Sequence, residues 1–136
     1  MPFMVWNDKL SIHVAAVDGD HKKMIAIINE LYDGIVAGVG NESLGLTMDG
    51  LIAYSRYHFA REEELFAMTG YEDADAHKKE HDCFSARVMD IQKRLRNGAI
   101  PAPSLEVMVF LKDWLFDHII GYDLKLGPHL NATGIH

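Results

Sequence analysis

Cysteine and basic residues are scarce in this 136-residue chain, and each scarcity excludes a class of protein. Cys83 is the single cysteine, so no intramolecular disulfide can form, and we expect a reducing, cytoplasmic location. Lys and Arg number 13 against 20 Asp and Glu, which leaves a net charge of −7. That balance argues against a nucleic-acid-binding protein, because such a protein carries a basic face.

Long apolar runs are missing as well. No stretch approaches the ~20 apolar residues that a membrane-spanning helix requires, so we expect no membrane association. The opening MPFMVWNDKLSIH has no basic stretch followed by an apolar run, and we therefore expect no signal peptide. Apolar residues still make up 49% of the chain, enough for the core of a single domain over residues 1–136.

Apolar residues recur at three- and four-residue steps in four segments, which predicts an all-α fold. The predicted helices span about residues 18–38, 42–69, 74–97 and 104–126. They follow an N-terminal arm over residues 1–17, which Trp6 could anchor. Because the connections are short, consecutive helices should pack antiparallel in an up-down-up-down four-helix bundle.

Glycine and small polar residues mark the expected helix ends. Gly70 and Gly98 are positioned to end the second and third helices in a left-handed conformation. Ser104 is the expected N-cap of the fourth helix, and Asp18 or Asp20 the expected cap of the first.

Histidine is the unusual component, with eight copies in the chain. In each helix, histidine or an acidic residue stands near or within the apolar stripe where an aliphatic residue is expected. These positions are His21 in the first helix, His58 and Glu62 in the second, His77 and His81 in the third, and His118 and Asp123 in the fourth. A buried, unpaired imidazole or carboxylate is costly, so its occurrence in all four helices predicts a shared metal.

The predicted connectivity brings all seven side chains toward one end of the bundle. Helices one and three carry theirs near the start, whereas helices two and four carry theirs late. A step of four residues advances about 40° beyond a full turn, so each of the pairs His58–Glu62 and His77–His81 shares a helix face. The five-residue step from His118 to Asp123 is about 140° off, and we predict a π-bulge near Gly121 that corrects it.

Four segments carry these residues in a fixed order. They read DGDHKKM around His21, HFAREE from His58, HKKEH from His77, and DWLFDHIIGYD, which contains His118 and Asp123. Together they resemble the hemerythrin family, and more narrowly its single-domain bacterial members. The resemblance runs from Trp6 to about Leu130. Each spacing alone is weak evidence, but the ordered combination is specific.

The resemblance implies two irons inside the bundle, held by the seven side chains above. Three imidazoles would bind one iron, namely His77, His81 and His118. Two imidazoles would bind the other, namely His21 and His58. Both carboxylates would bridge the irons, together with an oxo or hydroxo group.

Counting ligands then indicates the activity. One iron would be six-coordinate, whereas the other would have five ligands and an open position. The resemblance implies reversible O2 binding there, for oxygen carriage, storage or delivery to an O2-consuming enzyme. Nitric oxide and azide-like anions are further expected ligands. An apolar pocket would slow autoxidation, and its expected residues are Met24, Phe59, Trp114, Leu115 and Ile119.

Other polar residues near the motifs are expected to lie in solvent. They are His13, His129 and His136 outside the stripes, Glu63 and Glu64 beside Glu62, and Asp20, where relatives often have glutamine. Cys83 lies about 200° around the helix from His81, so it should not reach the same metal. We expect it to be a small buried apolar residue.

Three other functions compete with O2 binding. A ferritin-like di-iron oxidase would require Glu-x-x-His motifs, and the chain contains none. A sensor of O2, nitric oxide or iron, or an iron-handling module, usually has an attached output domain, which does not fit in 136 residues. A structural bundle with zinc or no metal would not explain five converging histidines. We therefore expect a monomeric O2-binding protein without enzyme activity.

Overall fold

The computed structural model describes residues 2–98 and 105–136, and these residues confirm the predicted antiparallel four-helix bundle. The first three rods are α1 (Ala15–Ala37), α2 (Asn41–Thr69) and α3 (Ala74–Arg96). The fourth rod consists of α4 (Leu105–His118), a π-helix (Ile119–Asp123) and α5 (Leu124–Ala132). Within the described ranges, no helix has both the length and the apolar content needed to cross a membrane.

The N-terminal segment is shorter than predicted, because α1 begins at Ala15. Its N-cap position is Val14, so the prediction that Asp18 or Asp20 caps the helix is wrong. The Asp18 carboxylate instead accepts hydrogen bonds from the backbone N–H of Ile12 and the hydroxyl of Ser11. It thereby ties the N-terminal segment to the first turn of α1.

Glycines end two of the helices as predicted. Gly70 follows α2 with φ 65°, and its N–H donates to the carbonyl of Phe66. Gly98 follows α3 with φ 71°. Both lie in the left-handed region, which glycine adopts without steric cost. The predicted cap Ser104 lies outside the described residues.

Two apolar clusters enclose a polar layer. The larger cluster fills the bundle interior, and the smaller one forms where the N-terminal segment meets the ends of α2 and α5. Along α1, His21 lies between Val17 of the smaller cluster and Met24 of the larger. Along α2, Glu62 lies in the same way between Phe66 and Phe59. The polar residues are therefore sealed on both sides along the bundle axis.

Gly127 controls how closely the N-terminal segment approaches α5. A methyl group at this position would collide with the backbone carbonyl of Ile12. We expect Gly127→Ala to lower the free energy of unfolding by about 1–3 kcal/mol, the usual range for overpacking. Gly50→Ala is the control, because Gly50 is exposed within α2 and has nothing within 4 Å of an added methyl.

Urea unfolding of both variants measures the difference. The control should be unchanged or more stable by up to about 1 kcal/mol, since alanine favours a helix interior. Equal stability of the two variants would contradict the close approach.

Candidate metal centre

All seven predicted ligands meet inside the bundle, and each is at most 2% exposed. Each rod supplies at least one of them. They are His21 from α1, His58 and Glu62 from α2, His77 and His81 from α3, His118 from the end of α4 and Asp123 from the end of the π-helix.

The Glu62 carboxylate faces two groups of imidazoles with its two oxygens. Its Oε1 lies 2.7 Å from Nε2 of His58 and 3.7 Å from Nε2 of His21. Its Oε2 lies 3.1 Å from Nε2 of His77 and 3.2 Å from Nε2 of His81. One carboxylate therefore stands between a two-histidine side and a three-histidine side.

Asp123 divides its oxygens in the same way. Its Oδ2 lies 2.9 Å from Nε2 of His21, on the two-histidine side. Its Oδ1 lies 2.8 Å from Nε2 of His77 and 3.3 Å from Nε2 of His118, on the three-histidine side. Both carboxylates are thus placed to bridge two adjacent ions.

The side chains form two overlapping sets of potential ligands. The first set is Glu62, His77, His81 and His118; the second is His21, His58, Glu62 and Asp123. Within each set, one ligand atom from every residue lies within 4.8 Å of the others. This arrangement has the composition of a di-metal centre.

The facing atoms lack the partners that buried polar atoms normally have. These atoms approach one another to 2.7–3.2 Å, but among the described residues they make no hydrogen bond of acceptable geometry. They are Nε2 of His21, His58 and His81, and all four carboxylate oxygens of Glu62 and Asp123. An unsatisfied buried polar group costs about 1–3 kcal/mol, so seven in one place require a common partner. Metal ions supply one, and the residues present therefore fit a pair of metals.

The π-helix brings the last two ligands together. His118 ends α4, and Asp123 ends the π-helix that follows it. A π-helix places more residues in each turn than an α-helix does, so a five-residue step returns to the same face. The predicted π-bulge is confirmed, and both side chains point into the centre.

Two carboxylates that were expected in solvent contact the outer nitrogens of ligands. Asp20 is only 4% exposed, and its Oδ2 accepts a hydrogen bond of 2.9 Å from Nδ1 of His58. Glu63 accepts one of 3.1 Å from Nδ1 of His81. The expectations for both residues are wrong, because each carboxylate contacts a histidine of a neighbouring helix, with Asp20 buried and Glu63 partly buried. A carboxylate at Nδ1 leaves the lone pair on Nε2, the form that binds a metal.

The expectations for other polar residues gave mixed results. His13, His136 and Glu64 are exposed as predicted. The prediction that His129 lies in solvent is wrong, because this residue is half-buried in α5. Its Nε2 lies 2.9 Å from Oγ1 of Thr69. The prediction that Cys83 is buried is also wrong, because this residue is exposed.

Aromatic and aliphatic side chains surround the centre. The Phe59 ring stacks on His81 at 4.0 Å, and the Trp114 ring stacks on His118 at 4.5 Å. Met24, Leu115 and Ile119 are fully buried in the larger cluster. The ring of Phe66, which was not among the predicted site residues, lies 4.7 Å from that of His77. Its position four residues after Glu62 is the sequence signal that could have indicated it.

The carboxylates raise the pKa values of three of the imidazoles, those of His21, His58 and His77. Burial lowers the pKa of His21, but Asp123 and Glu62 outweigh that effect and raise it to about 10. The same opposition raises the pKa of His77 to about 9. Burial raises the pKa of Glu62, but His58 and its neighbouring imidazoles hold it well below the usual value. A metal therefore competes with protons for this site.

The ligand assignment predicts a selective loss of metal. His77→Ala should lower the bound metal from two ions per chain to roughly one or none, because His77 contacts both carboxylates. His136→Ala is the control, because this residue is exposed at the end of the chain. Metal analysis after gel filtration measures both. Equal loss in the two variants would refute the assignment.

Comparisons with known proteins agree with this geometry. The model of the Hemerythrin HHE cation binding domain matches residues 13–130. The Bacteriohemerythrin of Methylococcus capsulatus is 35% identical over 134 residues, covering 97% of this chain and 100% of the relative. That of Stenotrophomonas maltophilia is 34% identical over 132 residues, covering 97% of this chain and 84% of the relative.

Solved structures give the same result. A crystal structure of wild-type hemerythrin superposes with a TM-score of 0.86 and 33% identity, covering 94% of this chain and 98% of that one. An alanine mutant of hemerythrin has a TM-score of 0.88 and 32% identity, covering 96% of this chain and 98% of that one. With the match over most of the chain, these findings show that the chain belongs to the hemerythrin family.

Proposed function

We propose that this protein binds O2 reversibly at a non-haem di-iron centre and serves in oxygen carriage, storage or delivery. The observation that carries the proposal is the unequal division of imidazoles around two shared carboxylates. His77, His81 and His118 lie on one side of Glu62, and His21 and His58 on the other. Imidazole and carboxylate ligands together suit iron.

This division would leave one coordination position open. With an oxo or hydroxo group as a third bridge, His77, His81, His118 and the two carboxylates would give six ligands on the first side. The same bridges with His21 and His58 would give five ligands on the second side. Iron bound there would supply the electrons that hold O2. The open position also suits nitric oxide and small anions such as azide.

The ligand set favours binding over catalysis. Five neutral imidazoles and two carboxylates donate less negative charge than a carboxylate-rich oxidase site does. Weaker charge donation disfavours the highly oxidised iron that O2 activation requires. The proposal is therefore a carrier without enzyme activity, from which an O2-consuming enzyme receives the oxygen.

The apolar surroundings protect the bound oxygen in this proposal. Met24, Phe59, Trp114, Leu115 and Ile119 form the proposed ligand pocket, and all five belong to or pack on the larger apolar cluster. Apolar walls keep water and protons away from the open position. Autoxidation, which needs both, should then be slow.

Optical spectra of iron-loaded protein test the function. Protein reduced without air should develop oxo-bridge and O2-dependent charge-transfer bands when air is admitted. Removing the oxygen should erase the O2-dependent band, and readmitting air should restore it. A band that bleaches once while a reductant is consumed would show an oxidase instead. Protein that binds no iron would refute both functions.

Leu115→Ala tests the pocket. This change opens space beside the centre, so autoxidation should become several-fold faster while iron content is retained. Leu111→Ala is the matched control, because Leu111 is equally buried one turn earlier in α4. Both changes should cost about 2–5 kcal/mol of stability. The decay of the O2-dependent band measures the autoxidation rate. An unchanged or slower rate in Leu115→Ala would contradict the pocket assignment.

A further inference from the structure

We propose that Asp20 is a positioning residue that orients His58 and increases electron donation to the two-histidine side, and that Arg61 limits this donation. The inference rests on the proposed di-iron function and adds a control of its redox balance. It arises from hydrogen bonds and ion pairs outside the seven ligands.

Asp20 collects three polar groups from one face of α2. Its Oδ1 accepts a hydrogen bond of 3.0 Å from the hydroxyl of Tyr54. Its Oδ2 accepts one of 2.9 Å from Nδ1 of His58 and lies 2.8 Å from Nε of Arg61. Positions 54, 58 and 61 follow helical spacing, so they present these groups on one face. The carboxylate of Asp20 therefore faces donor groups on both of its oxygens.

The hydrogen bond from His58 fixes what its other nitrogen can do. With the proton on Nδ1, the lone pair of His58 is on Nε2, which lies 2.7 Å from Oε1 of Glu62. An anionic acceptor at Nδ1 makes an imidazole a stronger donor to a metal. Stronger donation favours ferric over ferrous iron at the position where the coordination is open.

Asp20 gives Nδ1 of His58 a more buried carboxylate partner than Nδ1 of any other ligand histidine has among the described residues. Within the described residues, Nδ1 of His21 and of His77 has no hydrogen-bond partner. Nδ1 of His118 is 3.9 Å from Glu80, too far for a hydrogen bond. His81 does have Glu63, but that side chain is 30% exposed, against 6% for Asp20. A more buried carboxylate acts through less solvent screening, so its effect on the metal is larger.

Arg61 opposes this support. Its guanidinium lies against the oxygen of Asp20 that accepts from His58. It also lies over the ring of Tyr57 and donates a hydrogen bond of 2.6 Å to the Tyr57 hydroxyl. A cation at the shared oxygen draws electron density away from the hydrogen bond to His58. Removing Arg61 should therefore strengthen the effect that removing Asp20 abolishes.

The test compares two variants whose expected effects have opposite signs. Iron-loaded protein is titrated reductively while the oxo-bridge absorption is recorded. The absorption gives the ratio of ferric to ferrous iron at each applied potential. Asp20→Asn should lower this ratio about tenfold at a fixed potential, a change as large as the smaller effects that loss of such a partner has on metal affinity or activity. Arg61→Gln should raise it. Glu64→Gln is the control, because it removes the same charge as Asp20→Asn from an exposed residue of α2, and it should leave the ratio unchanged.

A second measurement follows His58 directly. In zinc-loaded protein, the Nδ1 proton of His58 should give a strongly downfield nuclear magnetic resonance signal. That signal should move upfield in Asp20→Asn and further downfield in Arg61→Gln. A role limited to packing would not move the signal in opposite directions.

The outcomes separate this inference from the proposed function. Wild-type protein that binds no iron refutes the proposed function and the redox part of the inference, while the zinc measurement still tests the orientation of His58. Changes of opposite sign in Asp20→Asn and Arg61→Gln, in the ferric-to-ferrous ratio and in the His58 proton signal, support the inference. Changes of the same sign, or no change, overturn it. If Asp20→Asn does not fold, Arg61→Gln decides alone: a higher ferric ratio supports the inference, and an unchanged or lower one overturns it.

Discussion

The structure depends on two buried carboxylates that share one space. Glu62 and Asp123 are both 0% exposed, and burial of two anions so close together is unfavourable unless positive charge surrounds them. Five imidazoles provide that charge when protonated, and two metals provide it when the imidazoles are neutral. The layer between the two apolar clusters must therefore contain polar side chains, because the two carboxylates need positive charge around them. Replacement of either carboxylate alone would leave several imidazoles without a partner.

The four-helix bundle makes this arrangement rigid. Each ligand belongs to a helix whose adjacent turns are packed into apolar clusters on both sides, so the side chains have little freedom to separate. The π-helix at Ile119–Asp123 interrupts the α-helical geometry of the fourth rod. It allows the fourth rod to supply two ligands at a spacing that an α-helix would point apart. Regular packing and one local irregularity together complete the centre.

Much of the centre was predictable because helical geometry is local. Four-residue spacing places His58 with Glu62 and His77 with His81 without knowledge of the neighbouring helices. The five-residue step from His118 predicted the π-helix for the same reason. The outer partners were not predictable in this way. Asp20 and Glu63 resemble ordinary surface acids in the sequence. Their partners, His58 and His81, lie on neighbouring helices, 38 and 18 residues further along the chain.

Residue spacing alone predicted the helices and the faces on which the seven converging side chains lie, since these follow from the α-helical repeat and short connections. Packing between helices settled what spacing could not: the burial of Asp20 and the half-buried place of His129. Burial and hydrogen bonding of these residues depend on side chains distant in the chain. No local pattern carries that information.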